Sequence, residues 1–151
     1  MSAITKILCP VDFSDTSNAA LDMALQLAEA NKAALHLIYV LPKMNYYDWT
    51  LTGATPLIDG DLFVEMDKNS REQLNKLVEK YKSEHPQIVI TSEIDELNSP
   101  ADGVLNAAKT FKADMIVMGS HGRKGFDRIL MGSVAESVMR NADCSVVIYK
   151  K

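Results

Sequence analysis

Met118-Gly119-Ser120-His121-Gly122-Arg123-Lys124-Gly125 is the stretch on which the reading of this chain turns, and nine residues separate its Gly122 from a second element, Gly132-Ser133. Before it, Ala113-Asp114-Met115-Ile116-Val117-Met118 is a short apolar run of the kind that forms a buried strand. After it, Val134-Ala135-Glu136-Ser137-Val138-Met139-Arg140 has helical spacing, with Val134, Val138 and Met139 expected on one side. The glycines thus stand where a strand ends and a helix begins. Glycine lacks a Cβ and accepts positive φ, so backbone N–H groups can crowd around an anion there. The first turn of a helix adds unpaired N–H groups and a partial positive charge. Together these features suit a phosphate cradle.

The chain has 151 residues, 47% hydrophobic and 24% charged, which fits one globular domain over residues 1–151. A net charge of −4 and the lack of a basic run argue against nucleic acid as the partner. No apolar stretch has the length of a bilayer span, and Met1–Lys6 lacks the layout of a secretory signal. The two cysteines, Cys9 and Cys144, sit in or beside apolar runs and read as buried free thiols. Cytoplasmic location and no membrane contact are the expectation.

Working outward, Lys6–Asp12 reads as a first strand ending in an acid, although Pro10 removes a ladder donor near its end. Phe13–Asn18 offers several N-cap candidates for a helix running to about Asn31, and Ala34–Val40 is the second strand. His36, alternating with leucines there, reads as structural, since nothing around it has metal-ligand spacing. Pro42–Gly60 carries Tyr46, Tyr47 and Trp49 without a period: either a lid over a ligand or an aromatic patch against a neighbour. A charged helix from Asp61 to about Glu84 follows, with Leu62, Phe63, Met66, Leu74, Leu77, Val78 and Tyr81 as its apolar set. Ile88–Ile94 is a third strand. Ser99-Pro100-Ala101-Asp102 announces a further helix, with Ser99 as N-cap and Pro100 at its first position. Ser145–Tyr149 is the last strand.

Five strands alternating with four helices predict an open parallel α/β sheet with helices on both faces, Rossmann-like in class. Such sheets bind ligands beyond the carboxyl ends of the strands, where the winding reverses. If the first strand lies beside the fourth, Asp12 faces the glycine loop across that crevice. Its carboxylate would accept from a ribose hydroxyl or an exocyclic amine. No Walker loop, no G-x-G-x-x-G after the first strand and no serine elbow occur.

These residues resemble the universal stress protein family. Cys9-Pro10-Val11-Asp12-Phe13-Ser14 is similar to the family opening, and Gly119-x2-Gly122-x9-Gly132-Ser133 matches the signature of its ATP-binding branch. Ser99-Pro100-Ala101 and Gly132-Ser133-Val134-Ala135-Glu136 are similar to family patterns, so the resemblance spans nearly all of residues 2–150. It implies strand order 3-2-1-4-5, an adenine-nucleotide (ATP) ligand with Mg2+ or Mn2+ held mainly by its phosphates, and a homodimer through the C-terminal strand. Pro10, Val11 and Asp12 would meet adenine and ribose, with Val40 lining the base pocket. Met118, Gly119, His121, Gly122 and Arg123 would meet ribose and phosphates, and Gly132, Ser133, Val134 and Ala135 would form a second phosphate segment.

Plainer readings remain beside these. The glycines serve equally as caps and turns, and Asp12 as a helix cap. His121 could donate to a phosphate, pack on its loop or point to solvent. The leading expectation is a cytoplasmic stress-response regulator that binds ATP with little or no turnover and acts through an unidentified protein partner. A slow ATPase is the first alternative, with His121 or Asp15 the only base candidates. A dimeric stress-linked interaction protein without nucleotide is the second.

Overall fold

The computed structural model describes residues 3–41, 60–96, 98–121 and 131–150. Their elements alternate along the chain: β1 (Lys6–Pro10), α1 (Asp15–Asn31), β2 (Ala34–Val40), α2 (Gly60–Glu84), β3 (Ile90–Asp95), α3 (Pro100–Phe111), β4 (Met115–Gly119), α4 (Ser133–Asn141) and β5 (Ser145–Tyr149). All four strand pairings are parallel, and the order is β3-β2-β1-β4-β5. The α/β class, the strand order and the helices on both faces are those expected from the sequence.

Right-handed crossovers explain where the helices lie. The first two connections run toward β3 and the last two toward β5, so the helices must change face at β1. Leu21, Ala24, Leu25 and Ala28 of α1 and Leu74, Val78 and Tyr81 of α2 share one core with Ile7, Cys9, Leu35, Leu37, Tyr39 and Val117. On the other face, Val104, Ala107 and Ala108 of α3 and Ala135 and Val138 of α4 pack against Leu8, Ile38, Ile116 and Met118. Alternate residues of each strand feed the two cores, which is why the strands read as continuous apolar runs rather than as alternation.

Several sequence expectations shift at the edges. β1 ends at Pro10 instead of Asp12. β3 begins at Ile90 because Ile88 N–H donates to His85 C=O, closing a turn after α2. Met66 is exposed: α2 is about 37 Å long, whereas a six-residue strand spans about 20 Å, so only its later turns find sheet to cover. The side chains of Leu62 and Phe63, and the 42–59 stretch, lie outside the described residues. Met139 is exposed too, since Ala135 and Val138 carry the buried stripe of α4. Of the two free thiols, Cys9 is fully buried but Cys144 only partly. His36 is structural as expected, with Nδ1 2.7 Å from Thr91 Oγ1 and its ring stacked on Phe111 at 4.9 Å.

Asp114 pins the start of β1 from the start of β4. Its Oδ2 accepts from Thr5 N–H at 2.8 Å, Thr5 Oγ1 at 2.9 Å and Lys6 N–H at 2.9 Å. The Thr5 N–H above all, then the Thr5 hydroxyl and the Lys6 N–H, hold its carboxyl below the usual carboxylate range. A carboxyl with a lowered folded pKa stabilises above its unfolded value, and that contribution disappears as pH falls through the folded value. Asp114→Ala is therefore expected to lower stability by about 1 kcal/mol at pH 7, given solvent competition at this half-exposed site. Thermal unfolding of both proteins at pH 7 and pH 3 checks this: the Tm gap should narrow at the acid end.

Candidate functional site

The site begins where β1 and β4 part. Their register covers only Ile7 with Met115 and Leu8 with Ile116. On the other side, β1 continues against β2 through Pro10 with Ile38, and Val11 N–H donates to Ile38 C=O at 2.9 Å. Backbone groups alternate sides along a strand, so the donor that Pro10 lacks would have faced β4, where pairing has already ended. A proline in this central strand therefore costs the ladder nothing.

From Val11 the chain must turn sharply into α1, and three short polar side chains hold the turn. Asp12 N–H donates to Ser17 Oγ at 3.1 Å, Ser14 N–H to Asp12 Oδ1 at 2.9 Å, and Ser17 N–H to Ser14 Oγ at 3.2 Å. Ser14 is thus the N-cap of α1, and Asp12 takes part in the capping as well as facing the crevice. Phe13, inside this closed set, has φ 65°, a left-handed conformation that bulky residues seldom adopt. Its ring packs against Tyr39 at 5.1 Å between centroids.

The crevice opens into a cavity of about 490 Å³. Among the sequence-nominated residues, Pro10, Val11, Asp12, Val40, Met118, Gly119, His121, Gly132, Ser133, Val134 and Ala135 all line it. Gly122 and Arg123 lie outside the described residues. Sequence reasoning missed Ser17, Ile38, Tyr39, Pro100 and Val104. Pro100 and Val104 are four apart on one face of α3, a pairing visible as periodicity but not as proximity to β2.

The two ends of the glycine stretch are fastened together. Ser120 N–H donates to Tyr149 C=O at 2.8 Å, and Gly132 N–H donates to Ser120 C=O at 2.7 Å. Close packing fixes the glycines here. A Cβ on Gly119 would lie 2.9 Å from Thr16 Cγ2 and 3.3 Å from the Thr16 backbone; one on Gly132 would lie 3.2 Å from both His121 Cα and Ser120 O. Gly132 itself has φ −61°, open to any residue, so what it supplies is space. As N-cap of α4 it brings no side-chain bond to the first turn, whereas Ser14 and Ser99 cap α1 and α3. The first turn of α4 thus faces the cavity without a side-chain cap from its own N-cap residue.

Chemically the lining is an apolar slot between β1, β2 and α3, with donors at its α4 end and the Asp12 carboxylate at the α1 turn. No lysine or arginine lines it among the described residues; the groups there that could donate to an anion are main-chain N–H groups, Ser133 and His121. Burial pushes the thiol of Cys9 far up and raises that of Cys144, which keeps both out of thiolate chemistry at neutral pH. Among the described residues no three His, Cys, Asp or Glu side chains gather into a metal cage.

Comparison with known proteins agrees with the fold. The model of the universal stress protein family matches residues 3–150. The chain is 35% identical to the universal stress protein MJ0531 of Methanocaldococcus jannaschii over 146 residues, covering 97% of this chain and 82% of that one. Among solved structures, the universal stress protein UspA from Lactobacillus plantarum superposes with a TM-score of 0.80 at 25% identity, covering 99% and 100% of the two chains. The universal stress protein from Archaeoglobus fulgidus, solved in complex with dAMP, has a TM-score of 0.67 at 22% identity, covering 99% and 100%.

Gly103 tests how tightly the slot is built. A Cβ there would fall 2.6 Å from Val40 Cγ2 and 3.1 Å from Asp95 Oδ2, so α3 sits against β2 only because this residue has none. Gly103→Ala is expected to push Val40 toward the cavity and to destabilise by about 1–3 kcal/mol, the usual range for overpacking. Urea unfolding measures the loss, and an unchanged midpoint would mean that α3 shifts freely.

Proposed function

The chain belongs to the universal stress protein family, and from that premise we propose that it binds ATP or another adenine nucleotide and acts as a cytoplasmic stress-response regulator with little or no turnover. One observation carries the reading: the start of α4, with no side-chain cap from Gly132, and the fastened ends of the glycine stretch meet one cavity with Asp12. A ligand with an anionic end, a hydroxylated middle and a flat apolar head suits that arrangement. The dAMP bound by the Archaeoglobus relative has this chemistry.

In this reading the base enters the slot formed by Pro10, Val11, Val40, Pro100 and Val104. Val11 N–H is the last β1 donor to β2, and by strand parity the Val40 N–H and C=O point to the same side, beyond the end of β1. A donor and an acceptor side by side suit the N1 and N6 edge of adenine. Asp12 accepts from ribose. The phosphates take N–H groups of residues 133–135, the Ser133 hydroxyl and His121, with Gly119, Gly122 and Arg123 completing the loop. Mg2+ or Mn2+ would be held by phosphate oxygens, for which these cations need no protein cage.

The same reading includes a homodimer. β5 pairs with β4 on one side only, and its other edge carries the main-chain groups through which a second copy would add. Lys150 and Lys151 would limit growth beyond two. Occupancy of the site is proposed to alter the surface offered to a protein partner.

Identifying the nucleotide released on denaturing the purified protein tests the reading. Near-stoichiometric ATP is the expected result; ADP would favour hydrolysis and call for a turnover assay. An empty protein that also fails to bind ATP with Mg2+ would leave a nucleotide-free interaction module. Gly132→Val should weaken ATP binding at least tenfold while leaving the far-UV spectrum unchanged, because its side chain must occupy space held by His121 and Ser120. Light scattering at micromolar concentration is expected to give the dimer mass, and a monomer mass would remove the β5 contact.

A further inference from the structure

Ser120 lies between two residues of the proposed site, and its side chain is not one of those that line the cavity. It is 4% exposed, one of three buried polar residues among those described, with Thr16 and Ser17. Its backbone is fully engaged: N–H to Tyr149 C=O, and C=O to Gly132 N–H. Its hydroxyl lies 2.8 Å from Nδ1 of His121, a residue that lines the cavity.

We propose that Ser120 is a positioning residue whose buried hydroxyl donates to Nδ1 of His121, so that the neutral imidazole carries its proton on Nε2 and offers a donor to a phosphate oxygen. This inference rests on the nucleotide reading of the cavity. The direction of the bond follows from desolvation. A serine hydroxyl has one proton to place, and among the described residues its hydrogen-bond partner is Nδ1 of His121. If Nδ1 carried the proton and donated, the buried hydroxyl proton would have no acceptor among the described residues, a desolvation cost that disfavours this tautomer. If the hydroxyl donates, both groups are satisfied.

The two tautomers have opposite consequences for an anion. With the proton on Nε2, the ring donates to phosphate; with it on Nδ1, Nε2 presents a lone pair and repels the same oxygen. His121 is the one ionisable nitrogen donor among the described residues that line the cavity, so its tautomer decides whether that ring attracts or repels a phosphate oxygen.

Nitrogen chemical shifts of His121 in the uniformly 15N-labelled protein, assigned by comparison with His121→Phe, read the tautomer directly and need no nucleotide. The expected spectrum at pH 8 has a protonated Nε2 and an unprotonated Nδ1, and Ser120→Ala should convert it to a tautomer mixture. In titrations, Ser120→Ala should weaken ATP about three- to tenfold and leave adenosine, which has no phosphate, unchanged. Ser120→Thr, which keeps the hydroxyl, should restore both readouts. In a His121→Phe background, Ser120→Ala should cost nothing further.

A protonated Nδ1 in the wild-type protein overturns the proposal, and so does an equal loss of ATP and adenosine. ATP affinity unchanged by Ser120→Ala overturns the positioning role even if the tautomer is as expected. If the wild type binds neither ATP nor adenosine, the nucleotide reading and the phosphate half of this inference fall together. The nitrogen spectrum then still decides whether Ser120 sets the tautomer.

Discussion

Everything in this molecule that resembles a site depends on the separation of β1 from β4. These two neighbours send their chains to opposite faces of the sheet, β1 into α1 on one side and β4 toward α4 on the other. Pairing stops after Leu8 and Ile116, and the carboxyl ends of the two strands stand apart. The crevice is a consequence of handedness: crossovers that must all be right-handed change face wherever the direction of winding changes. Pro10 fits the same constraint, because the side on which it lacks a donor is the side on which none is required.

Three glycines set how closely the elements around the crevice approach one another. Gly119 lets the end of β4 lie against the start of α1, Gly132 lets the start of α4 lie against His121, and Gly103 lets α3 lie against Val40. In each case a missing Cβ permits a close approach, tightest at Gly103 and Gly119, where an added Cβ would come within 3.0 Å of a neighbour. The effect is to bring backbone N–H groups and a thin apolar slot to one place without long, flexible side chains. Recognition by fixed backbone groups loses little conformational entropy on binding, since those groups are already ordered by the sheet and helices.

The β1–α1 turn is where the fold bears its local strain. Phe13 in the left-handed region costs about 1–3 kcal/mol for a bulky residue. It is held there by the Asp12, Ser14 and Ser17 bonds around it and by packing against Tyr39. This links the carboxylate that faces the cavity to the core beneath it. A change at Asp12 would therefore disturb the cap of α1 as well as the cavity wall, whereas His121 and Ser120 sit on a segment whose anchoring is entirely through backbone.

Periodicity alone was enough for the element order, since five buried apolar runs and four amphipathic stretches leave little choice of class. The α3 cap at Ser99 and Pro100 was equally local, and so was the last strand, because cap and strand preferences are settled within a few residues. The resemblance to the universal stress protein family, carried by the glycine spacing and the acid after the first strand, implied eleven described residues that the fold brings to one cavity. Element ends were less legible. Met66, Met139 and the start of β3 depended on how far a helix overhangs the sheet and on one turn bond after His85. Ser17, Ile38, Tyr39, Pro100 and Val104 carry no motif; they join the site only because β2 and α3 are neighbours across the sheet. The Ser120–His121 bond was adjacent in sequence yet invisible there, since only burial turns a serine hydroxyl into a group that must find a partner. Sequence thus determines what each segment prefers by itself, and tertiary structure decides which preferences meet, because proximity and desolvation exist only once the sheet has brought distant strands together.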